Sequence, residues 1–291
     1  MKAPKTAQSS STKLRGDYAA AAADFTVAQD WDSYTAEMHD RWRRLFARQM
    51  ALAERYAAPQ FLAGLARLDC ADRIPRFEQA NQILGVATGW QLVGVPGYLP
   101  DDSFFDHLAN RRFPVTRWLR EEHELHYLVE PDVFHDFFGH VPMLLDPAIA
   151  EFLVAYGQAG KRAIAMNALD MLARVYWYTI EFGLIDQGKG LKVFGAGIIS
   201  SAGETVFSIE DPSALRLHFD PERILRTAYH IDSYQSCYFV LGSFEQLIRG
   251  LVDLDFGPLY EAWRDAPPLP ADKVQPGDRR WSAAGPAEET A

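Results

Sequence analysis

Pro131-Asp132-Val133-Phe134-His135-Asp136-Phe137-Phe138-Gly139-His140-Val141-Pro142 places two histidines five positions apart in a run that is otherwise mostly apolar. A second apolar run, Val175-Tyr176-Trp177-Tyr178-Thr179-Ile180-Glu181-Phe182-Gly183-Leu184-Ile185, is interrupted by one acidic residue, Glu181. An unpaired carboxylate is expensive to bury, so such a group pairs with a cation, binds a metal or stays protonated. On an ideal α-helix five residues span about 500° of rotation, so the two histidine side chains would diverge by about 140°. They reach one point only if the helix ends or distorts between them. Gly139 lies between them and Pro142 follows, and glycine is favoured where a helix closes. The expectation is therefore His135 on a helix and His140 at a distorted turn or at the helix end.

Taken as residues alone, these three groups leave two readings open. Two imidazoles and one carboxylate make a three-ligand metal site with open positions, the arrangement of non-haem ferrous oxygenases. Alternatively, the histidines are core residues bonded to backbone carbonyls and Glu181 is half of a buried ion pair. A zinc finger would need a cysteine pair, and the zincin pattern His-Glu-x-x-His is absent. A zinc hydrolase using the same three ligands remains an alternative, as does a catalytically silent helical binding protein.

The rest of the chain bounds these readings. It has 291 residues, which allows one large domain or two small ones, and nearly half are apolar, ample for a buried core. A formal net charge of −10 argues against a nucleic-acid partner, which needs clustered Lys and Arg. There are two cysteines, Cys70 and Cys237, neither in a CxxC pair, so a disulfide framework is not expected. The start of the chain has no apolar signal region, and no window approaches the length of a membrane span. The expectation is a cytoplasmic protein that neither binds nucleic acid nor enters a membrane.

Helical periodicity dominates between the ends. It predicts helices over 33–56 with Ser33 as N-cap, 58–68, 74–88 with Pro75 in the first turn, 103–110, 147–157, 163–185, 221–227 and 243–251. Residues 90–97 read as strand or loop, and 192–201 with 204–209 as a β-hairpin or two irregular strands. The fold class expected is mainly α (α+β), a single catalytic domain of helices with a few short strands. Residues 1–23 read as a disordered tail, 24–265 as the catalytic domain and 266–291 as a Pro-rich C-terminal tail. No heptad run suggests a coiled coil, so a monomer is expected.

Three long segments resemble the signatures of the pterin-dependent aromatic amino acid hydroxylases: the run from Glu130 to Pro142, the run from Tyr176 to Leu184, and Phe194-Gly195-Ala196-Gly197-Ile198-Ile199-Ser200-Ser201-Ala202-Gly203-Glu204. Phe104-Phe105-Asp106-His107-Leu108-Ala109 and Trp118-Leu119-Arg120 match as well. The likeness covers residues 24–260. Length and ends resemble the bacterial, phenylalanine-hydroxylating members, without the regulatory domain and tetramerisation helix of the animal enzymes.

The resemblance implies an iron(II)- and tetrahydropterin-dependent monooxygenase converting L-phenylalanine to L-tyrosine with O2. It implies His135, His140 and Glu181 as iron ligands. It places Gly97, Leu99, Phe104, Ala173 and Tyr176 at the pterin, with Phe104 stacking on its ring. It places Arg120, Trp177, Phe182, Gly197 and Ser200 at the substrate side, Arg120 on the substrate carboxylate and Ser200 beside the first histidine. Asp136 stands where animal enzymes carry Glu, and Leu128 where they carry Thr, which puts one pterin and one substrate contact in question. Hydroxylation of tyrosine or tryptophan is the nearer alternative. Trp177 resembles the phenylalanine and tyrosine enzymes and the apolar Ile231 the phenylalanine or tryptophan enzymes, which together point to phenylalanine.

Overall fold

Thr35 starts the first long helix: its side chain accepts the Met38 N–H, which satisfies one of the donors a helix start leaves free. The helix α1 (Ala36–Tyr56) then buries Trp42, Leu45, Gln49, Ala53 and Tyr56, spaced three and four apart on one face. Trp42 donates its indole N–H to Cys70 O at 2.7 Å and meets Phe134 and Phe137 edge-on. Ser33, expected as the cap, instead ends a 3-10 turn, Trp31–Ser33, where its hydroxyl bonds Asp30 O. This computed structural model describes residues 14–125, 128 and 130–282.

Helix α2 (Pro59–Leu68) carries its proline in the first turn, where the missing N–H costs nothing. Helix α3 (Phe77–Ala87) starts after Arg76, so Pro75 lies just outside it. Strands β1 (Gln91–Val95) and β2 (Arg112–Thr116) pair in parallel, joined through α4 (Asp101–Ala109). Asp146 caps α5 (Pro147–Ala165) by accepting from Ala148 and Ile149 N–H. Helices α4 and α5 lie close because α5 presents two glycines. A Cβ on Gly160 would stand 2.0 Å from the Phe105 ring, and one on Gly157 2.4 Å from Ala109 N. The helix expected to stop at 157 thus continues to Ala165. The break falls at Asn167, whose φ is 53°, and α6 (Leu169–Tyr176) begins beyond it. Asparagine is among the few side chains that accept this left-handed turn, so the helix expected over 163–185 is two helices.

The second sheet has the order β4-β3-β6-β5, built from β3 (Leu184–Ile185), β4 (Lys192–Val193), β5 (Leu215–His218) and β6 (Cys237–Leu241). Strand β3 is antiparallel to β4 and parallel to β6, which is also parallel to β5. Every residue of β6 is buried, as a central strand between parallel neighbours requires. The hairpin expected over 192–209 is corrected. Only Lys192–Val193 is a strand, and the rest folds as α7 (Ala196–Ile199) and α8 (Ala202–Glu210). Short apolar runs fit a buried helix as well as a strand. Thr205 then fastens the corner between the two helices: its hydroxyl lies 2.8 Å from both Ile198 O and Ser201 O and shares its one hydrogen between them.

Helices α9 (Pro221–Arg226), α10 (Glu245–Ile248) and α11 (Phe256–Trp263) complete a mainly helical fold with few short strands. The chain ends are not detached where they are described. Arg15 pairs with Glu124, and Tyr18 donates to Tyr98 O at 3.2 Å. The Pro-rich stretch is irregular but folds back. Leu269 bridges to Thr227 and Arg280 to Leu217, and Asp278 takes a buried Arg223 at 2.9 Å. Residues 1–13 and 283–291 of the two expected tails lie outside the described residues. Among the described residues no single helix is long and apolar enough to cross a membrane.

Candidate metal centre

The candidate ligands sit on helices that widen. His135–His140 and Trp177–Glu181 both turn as π-helix, and the Phe182 N–H bonds Trp177 O, five residues back, at 2.8 Å. A turn closed five residues apart brings such residues onto one face, where an α-helix holds them apart. The distortion expected between the histidines is therefore present, as a wider turn within the helix. The Gly139 side of that turn lies against α7: a Cβ there would meet Ala196 at 3.0 Å. A further π-turn, Arg249–Asp253, carries none of these groups.

The two turns face each other. His140 Nε2 is 3.3 Å and His135 Nε2 3.6 Å from the two oxygens of Glu181. One ligand atom from each of the three residues lies within 4.8 Å of the others, and the imidazole planes stand nearly perpendicular, at 86°. His140 is buried, while His135 and Glu181 keep partial exposure, so the cluster has an open side. Burial drives the His135 imidazole below its ordinary value, despite the nearby Glu181, which favours the neutral form that offers a lone pair. Burial pushes the Glu181 carboxyl up, but the flanking His140 and His135 outweigh it and hold it below the ordinary carboxylate range.

His135 is oriented from behind. Its Nδ1 is 2.9 Å from Ser200 Oγ, and that hydroxyl donates its one hydrogen to Ala196 O at 2.7 Å. Ser200 therefore accepts from His135 Nδ1–H, which leaves the Nε2 lone pair facing Glu181. The backbone is held too: Asp132 Oδ1 accepts the His135 N–H at 3.0 Å. Asp132 is fully buried and binds Arg120 three times at 2.8 Å, through backbone N, Nε and Nη2. Burial alone would raise the Asp132 carboxyl, but Arg120 holds it below the ordinary range.

Arg120, read from the resemblance as the substrate's carboxylate partner, thus spends Nε and Nη2 on Asp132. Among the described residues its Nη1 makes no hydrogen bond. Asp136 is not one of the three converging groups. Its Oδ2 accepts the Thr116 N–H at 2.7 Å, and burial raises its carboxyl.

Two of the residues expected at a pterin, Phe104 and Tyr176, form an aromatic line running up to His140. Phe104 meets Tyr176 edge-on at 5.7 Å, and Tyr176 lies 6.2 Å from His140. Leu99 is buried and Ala173 partly so. Gly97 has a φ of 158°, and a Cβ there would stand 2.8 Å from the Tyr18 hydroxyl and 3.0 Å from Glu130 Oε1. On the other side, Trp177 lies between Phe182 at 4.7 Å and Tyr229 at 4.4 Å. Gly197 makes room for this group, since a Cβ would stand 2.8 Å from the Phe182 ring and 3.1 Å from Glu181 O. Ile231 and its neighbours His230 to Tyr234 are exposed.

Sequence reasoning missed Asp132, Thr116, Tyr229 and Gln235. Asp132 carried a signal: an aspartate directly before the helical run, three residues ahead of His135, is in N-cap position. The others are brought in by the fold and carried none.

A family model described as biopterin-dependent aromatic amino acid hydroxylase matches residues 2–253. A phenylalanine-4-hydroxylase of Chromobacterium violaceum is 52% identical over 256 residues, 88% of this chain and 86% of that protein. One from Ralstonia nicotianae is 50% identical over 88% of this chain and 82% of its own length. A crystal structure of the Chromobacterium violaceum phenylalanine hydroxylase bound to iron and phenylalanine superposes with a TM-score of 0.85 at 50% identity, covering 89% of this chain and 95% of that one.

Proposed function

The chain belongs to the biopterin-dependent aromatic amino acid hydroxylases, and from that premise we propose that it converts L-phenylalanine to L-tyrosine with O2, iron(II) and a tetrahydropterin. The observation that carries the reading is the convergence of His135, His140 and Glu181 within 4.8 Å on two widened helical turns. Two imidazoles and one carboxylate fit a ferrous ion and leave positions free. When bound, iron and the reduced pterin supply oxygen activation and two electrons.

The side chains bind, orient and exclude water. His135, His140 and Glu181 hold the metal, and Ser200 fixes the ring of His135. Phe104 gives the pterin an aromatic face, with Gly97, Leu99, Ala173 and Tyr176 around it. Trp177, Phe182 and Gly197 wall the amino acid's ring, and Arg120 Nη1 takes its carboxylate while Asp132 holds the rest of the guanidinium. No side chain is required as an obligatory general base. We place the enzyme in the cytoplasm, where the buried free thiols of Cys70 and Cys237 stay reduced. We also infer a monomer, which light scattering at micromolar concentration checks.

Anaerobic loading with ferrous iron, followed by an assay for tyrosine with and without tetrahydropterin, tests the proposal. Tyrosine formation that needs both supports it. Activity with zinc alone, or oxygen uptake indifferent to pterin, overturns it.

A further inference from the structure

The amide of Gln235 has every hydrogen-bonding position in use, and the bonds tie two different parts of the molecule together. Its Oε1 accepts Trp177 Nε1–H at 3.0 Å and the His230 N–H at 3.3 Å. Its Nε2 donates to His230 O at 2.6 Å and to Ser233 O at 3.4 Å. The side chain is 1% exposed, whereas His230, Ile231, Asp232, Ser233 and Tyr234 are all exposed. One buried amide thus closes an exposed loop and pins the indole on which the loop's first ring, Tyr229, stacks at 4.4 Å.

Gln235 is itself anchored. Its backbone N–H goes to Glu204 Oε1 at 3.0 Å, and that same oxygen accepts the Tyr238 hydroxyl at 2.9 Å. Tyr238 belongs to the fully buried strand β6. The chain of contacts runs from a rigid strand, through Glu204 and Gln235, to Trp177. The indole has three constraints: Phe182 on one side, Tyr229 on the other, and a hydrogen bond that fixes its rotation in the plane between them. Only the last is directional, and among the described residues Gln235 alone supplies it.

We propose that Gln235 is a positioning residue that locks Trp177 to the 229–234 loop and so sets which aromatic ring the pocket accepts; this rests on the reading of Trp177 as a wall of the amino acid site. Without the amide, Trp177 keeps its stacking partners but can turn between them, and the loop loses its closure. The pocket then admits rings it now excludes.

Gln235→Met removes both amide atoms at similar length, and Gln235→Asn keeps an amide but withdraws it by one methylene. The first readout is geometric and needs neither metal nor turnover. Among the indole N–H resonances of the seven tryptophans, that of Trp177 is identified by its loss in Trp177→Phe. In both Gln235 variants it should shift and exchange with solvent about tenfold faster, while the other six hold their positions. The second readout is preference: the ratio of kcat/KM for phenylalanine over tyrosine should fall about fivefold, the scale of one hydrogen bond, at unchanged iron content. In a Trp177→Phe background, adding Gln235→Met should leave the ratio within about twofold. A merely structural role would lower yield and kcat for both substrates and leave the ratio alone. An unmoved Trp177 resonance overturns the proposal, as does a moved one with unchanged preference. If Gln235→Met does not fold, Gln235→Asn decides by the same criteria. If the parent enzyme makes no tyrosine, the reaction assigned above fails, and the Trp177 resonance alone judges Gln235.

Discussion

Ser200 Oγ accepts the Nδ1–H of His135 at 2.9 Å while giving its own hydrogen to Ala196 O at 2.7 Å. The bond to Ala196 decides the tautomer of His135, because a hydroxyl has one hydrogen to give. Helix α7, which carries Ala196 and ends at Ser200, is therefore part of the metal site without supplying a ligand. Ser200→Ala should fold normally, and its affinity for ferrous iron should fall about 10- to 100-fold. Equilibrium metal titration checks this, and parental affinity would show that the ring needs no such support.

Glu181→Gln keeps the shape but replaces one acceptor oxygen by an NH2 donor and removes the one negative charge between the two histidines. Iron affinity and turnover should both drop sharply while the circular dichroism spectrum stays that of the parent. A variant with full iron content and full turnover would mean that Glu181 is not a ligand.

Arg120→Ala strips the fully buried Asp132 of its cation and leaves it with backbone donors only. Breaking a buried pair this way costs about 3–5 kcal/mol, so urea midpoints should fall substantially, and KM for any aromatic amino acid should rise. Arg120→Ala combined with Asp132→Asn should recover part of the stability, since no charge is then stranded. Unchanged stability in the single variant would contradict the ion pair's burial.

Glu204 makes stability depend on pH. Its carboxyl is raised from 4.5 to about 7 by burial, against the bonds from Gln235 N–H and the Tyr238 hydroxyl. The folded state thus holds this proton more tightly than the unfolded chain does. Its contribution is fully present below the unfolded value, near pH 4, and is lost as pH rises through about 7. The gap corresponds to roughly 3 kcal/mol at most. Glu204→Gln, which can accept both bonds through its carbonyl, should flatten the fall in melting temperature between pH 5 and 8. Parallel curves for parent and variant would refute it.

Trp177 and Phe182 pack on each other at 4.7 Å beside Glu181, and the one polar side-chain atom of that pair, Trp177 Nε1, gives its hydrogen to Gln235 Oε1 at 3.0 Å. A phenol buried there without a partner loses roughly 1–3 kcal/mol. Phenylalanine should then exceed tyrosine in kcat/KM by at least about fivefold. Competing-substrate assays at saturating pterin measure the ratio. Equal efficiency with tyrosine would overturn the phenylalanine assignment and leave the metal site standing.

Much of the site was legible because its residue types are costly where they sit. A glutamate inside the apolar run 175–185 and two histidines inside 131–142 demand partners, and supplying those partners is what the fold does. Helix positions were legible from the mostly helical spacing of apolar residues, as with Met38, Trp42, Leu45, Phe46, Met50 and Leu52. Boundaries were less so. Thr35 rather than Ser33 caps α1, and Asn167 breaks the helix expected over 163–185, because local turn chemistry competes within a residue or two of each end. The segment 192–209 misled because a short buried helix and a buried strand look alike as apolar runs.

The order of residues along the chain sufficed to mark His135, His140 and Glu181 as candidate ligands and the architecture as mainly helical. It did not contain the widening of the two turns. On an α-helix His135 and His140 point apart, and only packing against α7 and the opposing turn brings both to Glu181. Nor did it contain the roles of Ser200 toward Ala196, of Asp132 toward Arg120, or of Gln235 toward Trp177. Those are contacts between segments far apart in sequence, made specific by burial. Once water is excluded, each polar atom must find its partner within hydrogen-bond reach, and which partner it finds depends on how the helices pack.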